Sequence, residues 1–341
     1  MQVSYHRKSY IKPIQVPGSK SVNNRLLILH HLFFPNMHIG NASKSTDTLS
    51  LQKCLSAFDT GTRKFHIEDG GTTLRFLLAY LAVKNKPAVV TCGPTLFQRP
   101  HQELLNTLNQ IGFHISEDKS GFTIQPVDLA NIKSSWSVNV SRSSQFATAL
   151  VLVAPYLKKE IQIVLNGEPV SKGYLDLTLG LMQDLGFMLH KKDNCITVQP
   201  FSSNQNTIVA TTESDWSSIS YFVAICRLSN QSITLLNVQY NSLQPDIDIL
   251  TFASLIGIDH HFEDGNLILY PQPDFKFPKE INRNYTNCPD IALTEMVACH
   301  ALGIQLHATG IDHLKYKESN RHEVISKELS KFTSSTPSFH T

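Results

Sequence analysis

No stretch of the 341 residues offers the roughly 18 consecutive apolar residues that a membrane-spanning helix needs; even the run 74–83 is interrupted by Arg75 and followed by Lys84. The first twelve residues lack the apolar centre of a secretory signal. An excess of one charge sign is missing too. Thirty Lys and Arg against 28 Asp and Glu leave +2, so bulk charge points to neither nucleic acid nor membrane, and any anion binding has to come from local clusters. Cys54, Cys92, Cys195, Cys226, Cys288 and Cys299 are scattered, without a Cys-x-x-Cys pair or the spacing of a disulfide framework or zinc site. No His-Glu-x-x-His occurs, and His30-His31 and His260-His261 read as surface or packing residues, so no metal is implied. What remains, with 41% hydrophobic residues, is a soluble globular protein of a reducing cytoplasm, long enough for one large core and more readily two.

What is present is a repeat. Three apolar patterns with helical spacing end at Gly112, Gly186 and Gly257, the residue type expected just past a helix C-terminus. Each glycine is followed by a short alternating stretch, a polar turn, a second β-rich stretch and a proline. Those prolines, Pro126, Pro200 and Pro271, each lie 14 residues beyond their glycine. A second helix start recurs in phase: Gly71, Ser144, Ser217 and Asp290 are spaced by 73 residues each time. The unit is therefore strand, helix, strand, helix, hairpin, a βαβαββ repeat that builds a mixed sheet covered by helices and places the chain in the α/β class.

The repeat is incomplete at both ends. Only 52 residues separate Ser19 from Gly71. After Asp290 come a helix, a strand over 305–309 and a helix running through 323–332, and a glycine and hairpin are expected next. A polar tail, 333–341, stands there instead, so the chain is expected to stop inside a unit, through natural loss, truncation or a frame shift.

The helix starts are rich in groups that bind anions. Residues 17–25 read Pro-Gly-Ser-Lys-Ser-Val-Asn-Asn-Arg, which sets Lys20, Ser21 and Arg25 at a helix opening whose backbone N–H groups and dipole favour negative charge. The segment is not a Walker A loop, and a capped surface helix is the plainer reading of it alone. Asp69-Gly70-Gly71-Thr72 can bring backbone close to a ligand or can be an ordinary turn. Arg99-Pro100, Ser143-Ser144-Gln145 and Ser171-Lys172-Gly173-Tyr174 open further helices, and Ser-Ser at such a place is usually only a cap. Asp215 reads as an N-cap. Residues 315–321, Lys-Tyr-Lys-Glu-Ser-Asn-Arg, are either a solvated face or a general acid, Glu318, held beside anion-binding cations with Asp290 as its carboxylate partner. Recurrence is what weighs against the plain readings, because successive units offer hydroxyls, amides and cations at equivalent positions.

Eight motifs occur in one order: 17–25, Gly71-Thr72-x-x-Arg75, Arg99-Pro100, Ser143-Ser144-Gln145-Phe146, Val170-Ser171-Lys172-x-Tyr174, Asp215-x-Ser217-Ser218-x-Ser220-Tyr221-Phe222, Pro289-Asp290 and Lys317-Glu318-Ser319-x-Arg321. With them the chain resembles the 5-enolpyruvylshikimate-3-phosphate synthase family, the 3-phosphoshikimate 1-carboxyvinyltransferases, from about residue 12 to about residue 332. The resemblance implies an enolpyruvyl transferase-like fold, a two-domain inside-out barrel of βαβαββ units. One domain would span 17–212, and the other 213–341 with the N-terminal strand of 1–16, incomplete by about one unit. With it would go an Asp-His-Arg motif and a late lysine that the family uses on phosphoenolpyruvate.

The implied reaction moves the enolpyruvyl group of phosphoenolpyruvate to the 5-hydroxyl of shikimate 3-phosphate, a step of chorismate and aromatic amino-acid biosynthesis, and the resemblance implies no metal or organic cofactor for it. Carried over by motif, Ser21, Arg25, Ser143, Ser144, Ser171 and Lys317 would bind shikimate 3-phosphate, with Tyr174 against its ring. Lys20, Gln145 and Asp290 would also touch it. Lys20, Gly71, Arg99, Gln145 and Arg321 would hold phosphoenolpyruvate. Lys20, Asp290 and Glu318 would be catalytic, Asp290 taking or orienting the hydroxyl proton and Glu318 protonating the methylene carbon. Two departures stand out: Asp69 where the family commonly has asparagine, and His313 where another polar contact to the shikimate phosphate is usual. Rival readings are a transferase acting on UDP-N-acetylglucosamine, whose loop cysteine and Lys-Asn pair are absent, and a shikimate 3-phosphate-binding protein without catalysis. The expected partners are these small molecules, not nucleic acid or membrane, with a monomer expected for a completed second domain. For the chain as it stands the expectation is binding of shikimate 3-phosphate, weak turnover and association through an unfinished domain.

Overall fold

The computed structural model describes residues 12–332 except 203 and 205; the polar tail 333–341 and the start of the N-terminal strand segment lie outside the described residues. The chain opens with strand β1 (Ile14–Gln15), helix α1 (Lys20–Phe33), strand β2 (Met37–Gly40) and helix α2 (Thr46–Asp59). Two full repeats follow. The first is β3 (Lys64–Ile67), α3 (Gly71–Lys84), β4 (Ala88–Cys92), a short α4 (Pro94–Phe97) leading to α5 (Gln102–Ile111), and the hairpin β5 (His114–Asp118) and β6 (Gly121–Gln125). The second is β7 (Ser135–Asn139), α6 (Gln145–Val153), β8 (Ile161–Asn166), α7 (Lys172–Asp184), and the hairpin β9 (Leu189–Lys192) and β10 (Cys195–Val198). Then come β11 (Ile208–Thr211), α8 (Trp216–Ser229), β12 (Ile233–Leu236), α9 (Ile249–Leu255), and the hairpin β13 (Ile258–Glu263) and β14 (Asn266–Pro271). The described chain closes on β15 (Glu280–Asn284), α10 (Ala292–Leu302), β16 (Gln305–Thr309) and α11 (Arg321–Leu329).

The 14-residue spacing corresponds to the three hairpins. Gly112, Gly186 and Gly257 have φ of +116°, +87° and +72°, a left-handed turn that ends each helix and aims the chain into the next strand. The sheets repeat accordingly, with orders β3-β4-β6-β5, β7-β8-β10-β9 and β1-β12-β14-β13. In the third, the first place goes to β1, whose Ile14 lies opposite Leu235 in a parallel pair. The strand that precedes α8 in sequence, β11, pairs in parallel with β2 instead. The two connections pass side by side, Ser19 N–H donating to the Glu213 carbonyl at 2.8 Å and Asp215 N–H to that of Pro17 at 2.9 Å.

Helices lie inside and sheets outside. In α3 every residue from Thr73 to Val83 is buried, and α6 is buried from Phe146 to Val153, so neither has a solvent face. Strands β7 and β8 alternate buried and open residues, presenting one face to the helices and one to water. No sheet closes into a barrel among the described residues. Apolar residues gather in two separate cores, one within 22–210 and one formed by Val16 with 216–325. Leu150, fully buried in α6, should be costly to truncate. Leu150→Ala is expected to lower unfolding free energy by about 2–5 kcal/mol in a denaturant titration, through lost transfer energy and a cavity.

Two boundaries differ from the sequence reading. The last helix starts at Arg321, because the Asn320 side chain caps it by accepting from Glu323 N–H, and ends at Leu329; among the described residues Phe332 is 80% exposed. Arg99-Pro100 does not open a helix but forms the turn between α4 and α5.

Candidate active site

Four helix N-termini of the first core open on one cavity. Ser19 caps α1, its Oγ accepting from Val22 N–H at 3.4 Å, which leaves Lys20 and Ser21 at the mouth and Arg25 a turn further in. Helix α3 starts at Gly71, against the guanidinium of Arg99. Ser143 and Ser144 precede α6, with Gln145 in its first turn. Ser171 precedes α7 in the left-handed region at φ +54°, a strained conformation held by its N–H donating to the Thr286 carbonyl at 2.9 Å, across to the second core. Tyr174 stands in the first turn of α7. From the second core come Asp290, in the single turn Pro289–Ile291, then Lys317 and Glu318 after the turn Asp312–Tyr316, and Arg321 at the start of α11. Every site residue read from the sequence lines this cavity.

The lining is strongly cationic. Lys20, Arg25, Arg75, Arg99 and Arg142 from one side and Lys317 and Arg321 from the other face three carboxylates, Asp47, Asp290 and Glu318. Arg25 is buried with no carboxylate partner among the described residues: Nε donates to Thr178 Oγ1 at 2.7 Å, Nη1 to the Ser21 carbonyl at 2.5 Å and Nη2 to the Tyr174 carbonyl at 2.8 Å. Burial lowers its pKa to about 10. Arg75 donates to Gln145 Oε1 and to the Pro100 carbonyl at 2.9 Å, and burial and then the Arg99 charge lower it to about 9. The Nε atoms of Arg75 and Arg99 are buried without partners. Desolvated guanidinium groups with unused donors are what an anion's oxygens would satisfy.

Each carboxylate is tied to cations. Lys20 Nζ lies 3.3 Å from Asp47. Half-exposed Glu318 joins Arg99 and Arg321, each at 3.1 Å; burial raises its pKa, but the arginines outweigh that and hold it at about 2. Asp290 lies 3.4 Å from Arg321 and 3.9 Å from Lys317. Burial acts to raise the Asp290 carboxyl, yet Lys317, Arg321 and Lys20 hold it well below the ordinary carboxylate range. Tyr174 Oη lies 3.0 Å from Asp290 and 2.6 Å from Asp246. His313 has Nε2 3.3 Å from Ser171 Oγ, and burial followed by the Lys317 charge lowers it to about 4, so it is neutral at pH 7. Asp69, the other departure, is exposed and not part of the lining.

The sequence reading passed over Asp47, Arg142 and Asp246. Arg142 adjoins the Ser143-Ser144 motif and could have been read from it; Asp47 and Asp246 belong to no repeated motif. No group of three side chains suited to a metal occurs among the described residues.

A sequence profile of the EPSP synthase (3-phosphoshikimate 1-carboxyvinyltransferase) family matches residues 58–338. The 3-phosphoshikimate 1-carboxyvinyltransferase of Bacteroides fragilis strain YCH46 is 33% identical over 324 residues, covering 93% of this chain and 77% of that protein. The one of Cellvibrio japonicus is 29% identical, with 93% and 80% covered. A solved EPSP synthase from Acinetobacter baumannii shares the fold at a TM-score of 0.65 and 17% identity, over 93% of this chain and 77% of that one. With the profile spanning most of its length and the Bacteroides relative covering nearly all of it, the chain belongs to the EPSP synthase family, the 3-phosphoshikimate 1-carboxyvinyltransferases.

Proposed function

We propose that the cavity between the two cores is where this chain binds shikimate 3-phosphate and phosphoenolpyruvate and transfers the enolpyruvyl group to the 5-hydroxyl of the former, releasing phosphate. The observation that carries the reading is the lining itself, seven cations against three carboxylates on a chain whose whole net charge is +2. Two substrates with several negative charges each can meet only where fixed cations offset their repulsion. Ser21, Arg25, Ser143, Ser144, Ser171 and Lys317 take shikimate 3-phosphate, with Tyr174 beside its ring. Lys20, Arg99, Gln145 and Arg321 take phosphoenolpyruvate, against the backbone at Gly71. The cores are the two domains, 17–212 and the remainder, and the cavity is their cleft. No helix among the described residues is long and apolar enough to cross a membrane. By its family we read the protein as cytoplasmic, and as a monomer where its second domain is complete.

The electrostatics suggest how the carboxylates work. Within the cavity the cations that would hold substrate hold Asp290 and Glu318 ionised. When phosphate and carboxylate oxygens take over Lys317, Arg99 and Arg321, both side chains lose their compensation and become more basic. Asp290 then accepts or orients the hydroxyl proton, and Glu318 acquires the proton it delivers to the methylene carbon. Phosphate release from the two substrates together, with product identified by mass, tests the activity; no release and no product from the folded chain would contradict it.

Gly71 offers a narrower test. A Cβ there would stand 2.7–2.8 Å from Nη1, Nη2 and Cζ of Arg99, so the guanidinium would have to move. Gly71→Ala is expected to weaken phosphoenolpyruvate binding about tenfold, or ~1.4 kcal/mol, and to leave shikimate 3-phosphate affinity within about twofold, measured by calorimetric titration.

A further inference from the structure

Asp246 is 1% exposed and touches the site only through another side chain. Its Oδ2 lies 2.6 Å from Tyr174 Oη and 2.6 Å from Ser217 Oγ, while Oδ1 is buried with no partner. Tyr174 Oη also contacts Asp290 Oδ2 at 3.0 Å, so one phenol bridges two carboxyl groups from the other core. The approach is enforced from below. A Cβ on Gly173 would stand 2.5 Å from Cβ of Pro245 and 2.8 Å from the Asn287 carbonyl, so only glycine lets α7 lie this close to the segments carrying Asp246 and Asp290.

A phenol has a single proton and cannot donate to two carboxylates at once. With both ionised, one of the two short contacts would set lone pair against lone pair in a buried site. A second proton is needed, and the surroundings decide where it sits. Asp290 faces Lys317, Arg321 and Lys20. Asp246 faces Tyr174 from α7, Ser217 and Asp215 from the start of α8, and Asp290 and Cys288 from the turn before α10, none of them a cation. We propose that Asp246 is a positioning residue of the transfer site: its carboxyl carries the second proton and donates it to Tyr174 Oη, which commits the phenol's own proton to Asp290 and fixes the tyrosine ring against the sugar-like substrate. The idea rests on the function proposed above for what the ring meets, but not for where the proton is. Burial, followed by the Asp290 charge, acts in the same direction by raising the Asp246 carboxyl well above the ordinary carboxylate range.

The first measurement needs no substrate. In the full chain labelled at the aspartate carboxyl carbons, one NMR resonance should titrate at about pH 7, disappear in Asp246→Asn and change its midpoint in Tyr174→Phe. Should the asparagine variant fail to fold, the Tyr174→Phe shift still identifies the resonance. Only ordinary aspartate titrations, near about pH 4, would overturn the proposal. The second measurement compares shikimate 3-phosphate affinity. Asn stays neutral at every pH, so the two proteins should bind alike near about pH 6, and the variant should bind up to about tenfold more tightly than the wild type near about pH 8.5, where Asp246 ionises and competes for the tyrosine. A ratio that stays constant with pH would reduce Asp246 to a packing role and overturn the proposal. If the wild type binds no shikimate 3-phosphate at any pH, the proposed function falls, and the carboxyl titration alone decides the place of the proton.

Discussion

Glu318→Gln is expected to lower turnover by about 10²–10⁴-fold, the usual contribution of a general acid, and at the same time to tighten phosphoenolpyruvate binding by about threefold to tenfold. The opposite signs come from one geometry. Glu318 occupies Arg99 and Arg321, each at 3.1 Å, so the substrate has to displace a carboxylate to reach them. Glutamine keeps the shape and removes the charge, which leaves both guanidinium groups open to an incoming anion. It also cannot deliver a proton to the methylene carbon. Because Glu318 is half exposed, the gain in binding is kept small by solvent screening. Product formation relative to the unaltered chain reads the first effect, and calorimetric titration of phosphoenolpyruvate alone, where nothing turns over, reads the second. Weaker phosphoenolpyruvate binding in the variant would mean that Glu318 does not compete for the arginines, and unchanged turnover would return it to a solvated surface role.

Arg25→Met should cost at least about 10²-fold in shikimate 3-phosphate affinity, corresponding to about 3 kcal/mol or more, as expected when one partner of a buried charge-assisted contact is removed. The stability of the empty protein should change far less. Arg25 is desolvated without a counter-ion, and its donors go to Thr178 and to the carbonyls of Ser21 and Tyr174. Methionine gives up those neutral contacts and also the penalty of a buried charge, two terms of opposite sign. A large loss of affinity beside a nearly constant denaturation midpoint is therefore the signature of an anion site built into the fold at a cost to stability. A parallel collapse of stability would make Arg25 a structural residue instead. Raising the salt concentration should weaken binding to the wild type more than to the variant, since the variant has lost one of the charges being screened.

Local chemistry makes part of this molecule legible in its sequence. Glycines 14 residues ahead of prolines marked three hairpins, because ending a helix in a left-handed turn is a demand on one residue and leaves a trace in the chain. The helix starts were legible for the same reason: a capping hydroxyl or glycine and a nearby cation are needed together, so Ser19-Lys20-Ser21 and Ser143-Ser144-Gln145 stood out, and both open on the cavity. Partners in pairing were another matter. That β11 lies beside β2 while β1 lies beside β12 follows from two connections crossing at 17–19 and 213–215, and neither strand's alternation says which neighbour it will have. Asp246 was illegible for a related reason. Its neighbours in sequence, Pro245 and Ile247, say nothing of Tyr174, which reaches it from 72 residues away across the gap between the cores. The end of α11 differs from the sequence pattern because helical spacing continues past Leu329, while among the described residues Phe332 stays 80% exposed.

Whether this cavity takes shikimate 3-phosphate is asked most directly by equilibrium titration of that ligand into the purified chain. One molecule should bind per chain, more weakly as salt is raised, with binding reduced at least about 10²-fold in Arg25→Met. UDP-N-acetylglucosamine should not compete. No binding of shikimate 3-phosphate by the folded, unaltered chain, or tighter binding of UDP-N-acetylglucosamine, would contradict the account.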